Sequence, residues 1–171
     1  LYPTVIQTLE PGENYTGAKV FFREENENVL RNVNYHEKER LSRVSSVSEL
    51  PEGFRKSVIY HLLSAAYRRE NSIDGKHTML INTEREKKEH ERTRKLLESF
   101  LTDLFEVLDE QISNNYNYYS SIIFECVEDL QSTVGYFEIN DIERSIINSI
   151  ELSDIEVVNS ESSNAINYGG D

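Results

Sequence analysis

The sequence contains one cysteine and no tryptophan, and none of its apolar runs approaches the ~20 residues that a membrane-spanning helix needs. Because Cys126 has no cysteine partner, an internal disulfide and a zinc site built from several cysteines are excluded. The first residues show no basic stretch followed by an apolar one, so no secretory signal is visible. These absences predict an intracellular, cytoplasmic protein without a membrane segment.

Basic residues are scarce in the second half of the chain. Residues 98–171 hold 16 Asp and Glu against one basic residue, Arg144, whereas residues 1–97 hold 17 Lys and Arg against 15 Asp and Glu. The net charge of −13 is therefore concentrated after residue 97. Since an acidic region repels a phosphate backbone, any nucleic-acid contact is expected in the first half. The acidic residues could equally serve only to keep a peripheral region in solution.

Two stretches have the periodicity of amphipathic helices. The first covers residues 51–70, where Pro51 suits the beginning of a helix and Arg68 and Arg69 suit its end. The second covers residues 84–112, and Thr83 with Glu86 could form its capping box. Its apolar stripe consists of Leu97, Phe100, Leu101, Leu104, Phe105, Leu108 and Ile112. Further helical patterns occur around residues 122–130 and 142–150.

Short apolar runs indicate strands. "AKVFF" (18–22), "HTMLINT" (77–83) and "IEVVNS" (155–160) are too short for core helices, and the second is typical of a strand covered on both faces. A strand–helix–strand order favours a right-handed parallel crossover. We therefore expect a helix-rich α/β fold with short parallel strands and an inserted acidic helical hairpin.

This fold divides the chain into four segments. Residues 1–50 are a connecting segment with a short strand, and residues 51–112 are a helix–strand–long-helix core. Residues 113–152 are the helical insertion, and residues 153–171 are a returning strand and loop. The chain begins at Leu1 without a methionine and ends in Gly-Gly-Asp, so we expect a fragment of a longer protein.

His77 is the first candidate functional residue, because it lies at the entrance of a predicted buried strand, although a structural histidine is the commoner case. The basic residues of 84–95, among them Arg85 and Lys88, could contact phosphates, but the interleaved glutamates equally indicate a salt-bridged helix. Asp74, Glu86 and Lys88 imitate the carboxylate–lysine set of metal-dependent nucleases. On a helix, however, Glu86 and Lys88 project about 200° apart and do not converge.

Other catalytic and metal motifs are missing from the sequence. His36, His61 and His90 have no spacing to a second ligand that would specify zinc, and no His-Glu-x-x-His occurs. There is no phosphate-binding loop and no nucleophile elbow. We therefore predict no catalytic residue and no metal ligand in this chain.

Four stretches resemble one known family. "NYTGAKVFF", "LPEGFRKSVIYHLLSAAYRR", "KHTMLINTEREKKEHERTRKLLESFL" and "IEVVNSES" are similar to the Z1 (Z-one) domain family. The strongest features are Tyr15 with Gly17, Leu50-Pro51 opening a helix, and the run that starts at His77. Members of this family are described as endonucleases, resemble superfamily-two helicases and occur in bacterial restriction and phage-defence systems.

The resemblance implies a partial second RecA-like lobe of a DNA-dependent ATPase or endonuclease. ATP and Mg would then belong to the parent protein, while this fragment would hold no cofactor and no complete catalytic site. In such motors one lobe grips the nucleic-acid backbone, and the residues expected near a DNA track are His77, Thr83, Arg85 and Lys88. The family's Leu-Ser-Arg-Gly motif is absent from this chain.

Two alternatives remain. The acidic region could be a helical interaction module that docks a protein partner with a basic face, since aromatic side chains commonly anchor interfaces. The aromatic residues there are Tyr116, Tyr118, Tyr119, Tyr136 and Phe137. The third and least favoured reading is an independent metal nuclease that depends on Glu86.

Overall fold

The structure, a computed structural model, describes residues 35–41, 43–81, 87–111, 115–135 and 138–157, all of which belong to one compact unit, Val33–Asp171. A short 3-10 turn, Val47–Glu49, precedes the second helix. The α-helices of the described residues are α1 Tyr35–Leu41, α2 Glu52–Glu70, α3 Lys87–Glu110, α4 Tyr116–Val134 and α5 Ile142–Glu151. None of these helices is long and apolar enough to cross a membrane.

Helix α2 lies at the centre of the described unit, and the helix predicted over residues 51–70 is thereby confirmed. Its buried side chains cover much of its circumference, because helices α4 and α5 both pack against it. They are Phe54, Arg55, Val58, Ile59, Leu62, Leu63 and Ala66. A helix that is buried on several sides is typical of the inside of a helical core.

Polar contacts fix the directions of the helices that pack on α2. Arg55 donates to the Tyr118 hydroxyl at 2.5 Å, and one turn later the Tyr60 hydroxyl donates to Asp129 at 2.7 Å. Helix α4 therefore runs parallel to α2. Helix α5 runs antiparallel, because Ser145, near its beginning, contacts Glu70, near the end of α2, while the later residue Ser149 donates to the Leu62 carbonyl.

Helix α3 has the apolar stripe that the sequence predicts. Phe100, Leu101, Leu104 and Leu108 are buried, whereas its opposite face carries acidic and basic side chains. Tyr119 of α4 packs on Phe100, and its hydroxyl donates to Asp103. One buried cluster joins α2, α3, α4 and α5, so the two helices of the predicted insertion share the core of the unit.

Cys126 lies at the interface of α4 with α2 and is completely buried. Burial raises the pKa of its thiol to about 12, because a thiolate there would lose its hydration. The thiol is therefore protonated at neutral pH, and its role in the folded unit is that of a small apolar side chain.

The predicted α/β fold is wrong for the residues that the structure describes. Residues 76–81 and 153–157 have no regular secondary structure, and no strand occurs there or elsewhere in the described ranges. Burial alternates along 78–81: Met79 and Ile81 pack against the helical core, whereas Leu80 is 87% exposed. Such a segment lies with one face on helices, and it lacks the ladder partners and the two-sided burial of a parallel strand. The predicted partial RecA-like lobe is therefore also wrong, because it depended on these strands.

Some of the predictions concern residues outside the described ranges. The strand predicted at 18–22, Thr83 of the capping box and residues 158–160 of the returning strand belong to this group. The four-segment division of the chain stays a prediction.

Replacing Leu104 by alanine is expected to lower the free energy of unfolding by roughly 2–5 kcal/mol, because a fully buried leucine would leave a cavity between the helices. Leu152→Ala is the matched control, since Leu152 is 73% exposed, and it should change stability by less than about 0.5 kcal/mol. Urea unfolding followed by circular dichroism measures both. Equal effects of the two substitutions would contradict the helical core described above.

Candidate nucleic-acid interface

Two histidines from different elements stack on one another at the surface of the unit. His61 lies in the middle of α2, and His77 lies on the extended segment that follows this helix. Their ring centroids are 4.5 Å apart, and the ring planes differ by 9°. The stack fastens the start of the extended segment to the side of α2.

The chain reaches this position through a tight reversal after α2. The Ile73 amide donates to the Arg68 carbonyl at 2.8 Å, and the Arg68 guanidinium donates to the Asp74 carbonyl at 2.6 Å. Ser72 and Gly75 have positive φ angles of 51° and 97°, which turn the backbone back along the helix. The φ of Gly75 is one that other residues adopt rarely, so this glycine is required for the reversal.

The stacked pair favours uncharged imidazoles. Burial, and secondarily the proximity of His77, lowers the pKa of His61 to about 4. Burial and the nearby Arg68 charge also lower the pKa of His77. The two rings are therefore neutral at pH 7, and Arg68 lies close enough to His77 to affect its pKa.

The extended segment presents a different set of side chains to solvent. Lys76, Thr78 and Leu80 are exposed, while Met79 and Ile81 face the helices. His77 is also exposed to solvent although His61 covers one of its ring faces. This surface therefore combines a cation, a hydroxyl, an aliphatic side chain and an aromatic ring, all of which can contact nucleic acid.

The basic beginning of α3 is partly neutralised within the helix. Arg92 pairs with Glu89 at 2.8 Å and also donates to the carbonyls of Leu41 and Val44. Arg94 pairs with Glu91 and Glu98. The salt-bridged reading of this region is thus correct for Arg92 and Arg94, and their charges contribute little to an external partner.

The structure describes only part of the predicted nucleic-acid set. His77 lies in the stack, and Lys88 lies exposed on the first turn of α3. Thr83 and Arg85 fall outside the described residues, so their position near a DNA track stays a prediction. The sequence gives His61 no metal-ligand spacing and predicts no role for it, whereas the structure makes it the stacking partner of His77. Helical periodicity alone could not have paired two residues on different elements.

Only Asp74 and Lys88 of the nuclease-like set belong to the described residues. Asp74 accepts a hydrogen bond from Arg68 through its backbone carbonyl, and Glu86 lies outside the described ranges. Within those ranges, no three His, Cys, Asp or Glu side chains are close enough to hold one metal ion together.

The model of the Z1 domain matches residues 53–171, which is more than two thirds of the chain and includes α2, the stacked histidines and the helices that follow. The chain belongs to the Z1 domain family. The resemblance seen in the sequence is confirmed at this level. No curated protein and no solved structure is significantly similar to this Z1 chain.

The free energy of unfolding of this Z1 chain should fall by about 1 kcal/mol between pH 7 and pH 5 through His61 alone. The unfolded chain binds a proton on His61 near pH 6.5 and the folded chain only near pH 4. The contribution is therefore complete above pH 6.5 and is lost as the pH falls toward 4. Urea titrations at the two pH values measure it.

His61→Phe keeps a flat ring against His77 but cannot bind a proton, so it should reduce this pH dependence. His36→Gln is the control, because His36 is exposed on α1 and its replacement should leave the pH dependence unchanged. If His61→Phe loses as much stability as the parent chain between the two pH values, the neutral stack is disproved.

Proposed function

We propose that this chain is a helical accessory unit of a larger Z1 protein, a helicase-like, DNA-dependent ATPase with endonuclease function. In this proposal the parent acts in the cytoplasm as part of a restriction or phage-defence system. It binds ATP and Mg outside this unit. The unit contributes a DNA-contacting edge, which consists of Lys76, His77, Thr78 and Lys88, and no complete catalytic site.

Family membership supports this setting, and the distribution of charge supports the position of the edge. Residues 68–95 carry nine Lys and Arg against six Asp and Glu, whereas residues 98–171 carry one basic residue against 16 acids. DNA is attracted to the first region and repelled by the second. DNA is therefore expected to contact cations of residues 68–95 and to avoid the acidic part of the chain.

The observation that carries the proposal is the geometry of the segment after α2. The stack of His77 on His61 fixes the start of the segment, and Lys76 and Thr78 remain exposed beside it. A fixed segment contacts a backbone with a smaller loss of conformational entropy than a freely moving loop. Lys88 is exposed on the first turn of α3 and is the second described cation of the predicted set.

Charge removal at this edge tests the proposal. Lys76→Ala and Lys88→Ala should each weaken binding of a short labelled DNA duplex and lower the slope of log affinity against log salt by about 0.9, because each contact with a phosphate releases about one counterion. Fluorescence anisotropy between about 50 and 200 mM salt measures both quantities.

Arg144→Ala is the matched control for charge, because it removes one positive charge from an exposed site on the acidic helix α5. It should change affinity little and leave the salt slope unaltered. If Lys76→Ala and Lys88→Ala behave like Arg144→Ala, DNA does not bind at this edge.

Docking of a protein partner is the second candidate function, and a feature of α4 favours it. Phe124 is 61% exposed, although large aromatic side chains are usually buried. Glu128 lies one turn further along the same face and is also exposed. An aromatic side chain within an acidic surface suits a partner with a basic face and an apolar pocket.

The double variant Phe124→Ser with Glu128→Lys tests docking without disturbing the core, because both side chains are exposed. Proteins that co-purify with the tagged parent are compared between the two forms. Loss of one basic partner with unchanged DNA affinity would support docking, and an identical set of partners would exclude this face.

A further inference from the structure

The His61–His77 stack has properties that contact with the DNA phosphate backbone does not explain. Cations are the side chains that attract phosphates, whereas this site also has an aromatic ring at the surface. His61 covers one face of His77, yet His77 remains exposed to solvent. His77 therefore keeps solvent-accessible surface although it is stacked on His61.

The charge state of the ring also suits an aromatic partner. Burial and the nearby guanidinium of Arg68 lower the pKa of His77, so its imidazole is neutral at pH 7. A neutral ring stacks on a nucleobase without the cost of removing water from a charge. Arg68 itself is anchored to the Asp74 carbonyl, which keeps its charge next to the ring.

We propose that His77 is a stacking platform for an unpaired base of single-stranded DNA, with Lys76 and Arg68 placed to neutralise the adjoining phosphates. The proposal rests on the DNA-contacting edge proposed above and adds the form of DNA that the edge selects. Bases in a duplex are stacked on one another and cannot lie on a protein ring, whereas the bases of a single strand can.

The segment that carries His77 also has an exposed apolar side chain. Leu80 is 87% exposed, three residues after His77, and lies on the outward side of the segment with Lys76 and Thr78. The segment therefore carries a cation, a ring and an aliphatic side chain at exposed positions 76, 77 and 80. Alternation of cations with apolar surfaces is the general pattern of sites that hold single strands without sequence preference.

The test uses the full 171-residue chain and three labelled probes of equal length: oligo(dT), an abasic strand with the same phosphates, and a duplex. His77→Ala should weaken binding of oligo(dT) about tenfold, since stacking on one aromatic side chain is worth roughly that factor. Binding of the abasic strand should not change, because it offers no base to the ring. His77→Phe should restore the affinity for oligo(dT).

His36→Ala is the matched control, because it removes an exposed histidine from α1 and should leave all three affinities unchanged. His77→Phe also guards against misfolding, because it keeps a ring on His61 even if the alanine variant loosens the segment. Unchanged binding of oligo(dT) by His77→Ala, equal weakening of both single strands, or failure of His77→Phe to restore affinity would each overturn the platform.

The two proposals fail in different ways. If the unaltered chain binds the duplex and the single strands with equal affinity and His77→Ala has no effect, the platform is wrong while the DNA-contacting edge stands. If the unaltered chain binds none of the three probes, the DNA-contacting edge is wrong and the platform falls with it.

Discussion

Burial of helix α2 is the constraint on which the remaining structure depends. Ile59, Leu62, Leu63 and Ala66 are almost completely excluded from solvent, and helices α4 and α5 pack on different sides of them. Once α2 is enclosed in this way, its exposed strip is narrow, and His61 lies on the part that the returning segment covers. The position of the stacked histidines is thus a consequence of how the core is packed around one helix.

Several arginines stabilise connections between elements instead of providing surface charge. Arg55 donates to the carbonyls of Val47 and Ser48, and Arg69 donates to the Ser145 carbonyl and the Ser149 hydroxyl. Arg92 does the same for the two carbonyls at the end of α1 and the turn after it. Because a guanidinium has five donors in a planar arrangement, it can satisfy carbonyl groups of two elements at once. A count of basic residues therefore overstates the charge that the unit offers to DNA.

The helices could be predicted from the sequence because periodicity over ten or more residues has one physical solution. Phe100, Leu104 and Leu108 face the core, as their spacing requires. The run Met79-Leu80-Ile81, in contrast, does not specify one structure. Three apolar residues in a row fit a strand buried on both sides and equally fit an extended segment with one face on helices. Which of the two structures forms depends on whether neighbouring strands are present, and a short apolar run does not show this.

The candidate site was only partly predictable for a related reason. His77 stood out because it precedes an apolar run, but the run was assigned to a sheet and the histidine to the edge of that sheet. Its actual partner, His61, is separated from it by the end of α2 and a reversal at Gly75. The reversal depends on backbone angles that a single glycine indicates weakly. Contacts created by such turns are set by three-dimensional packing, and local patterns carry little information about them.

The buried thiol of Cys126 can be used to measure local opening of the interface between α2 and α4. A sulfhydryl that is wholly covered and protonated reacts with alkylating reagents only when α4 separates from α2. The rate at which the thiol is alkylated therefore measures how often the α2–α4 interface opens, and no engineered probe is needed. Since this is the only sulfhydryl in the sequence, the signal comes from one place.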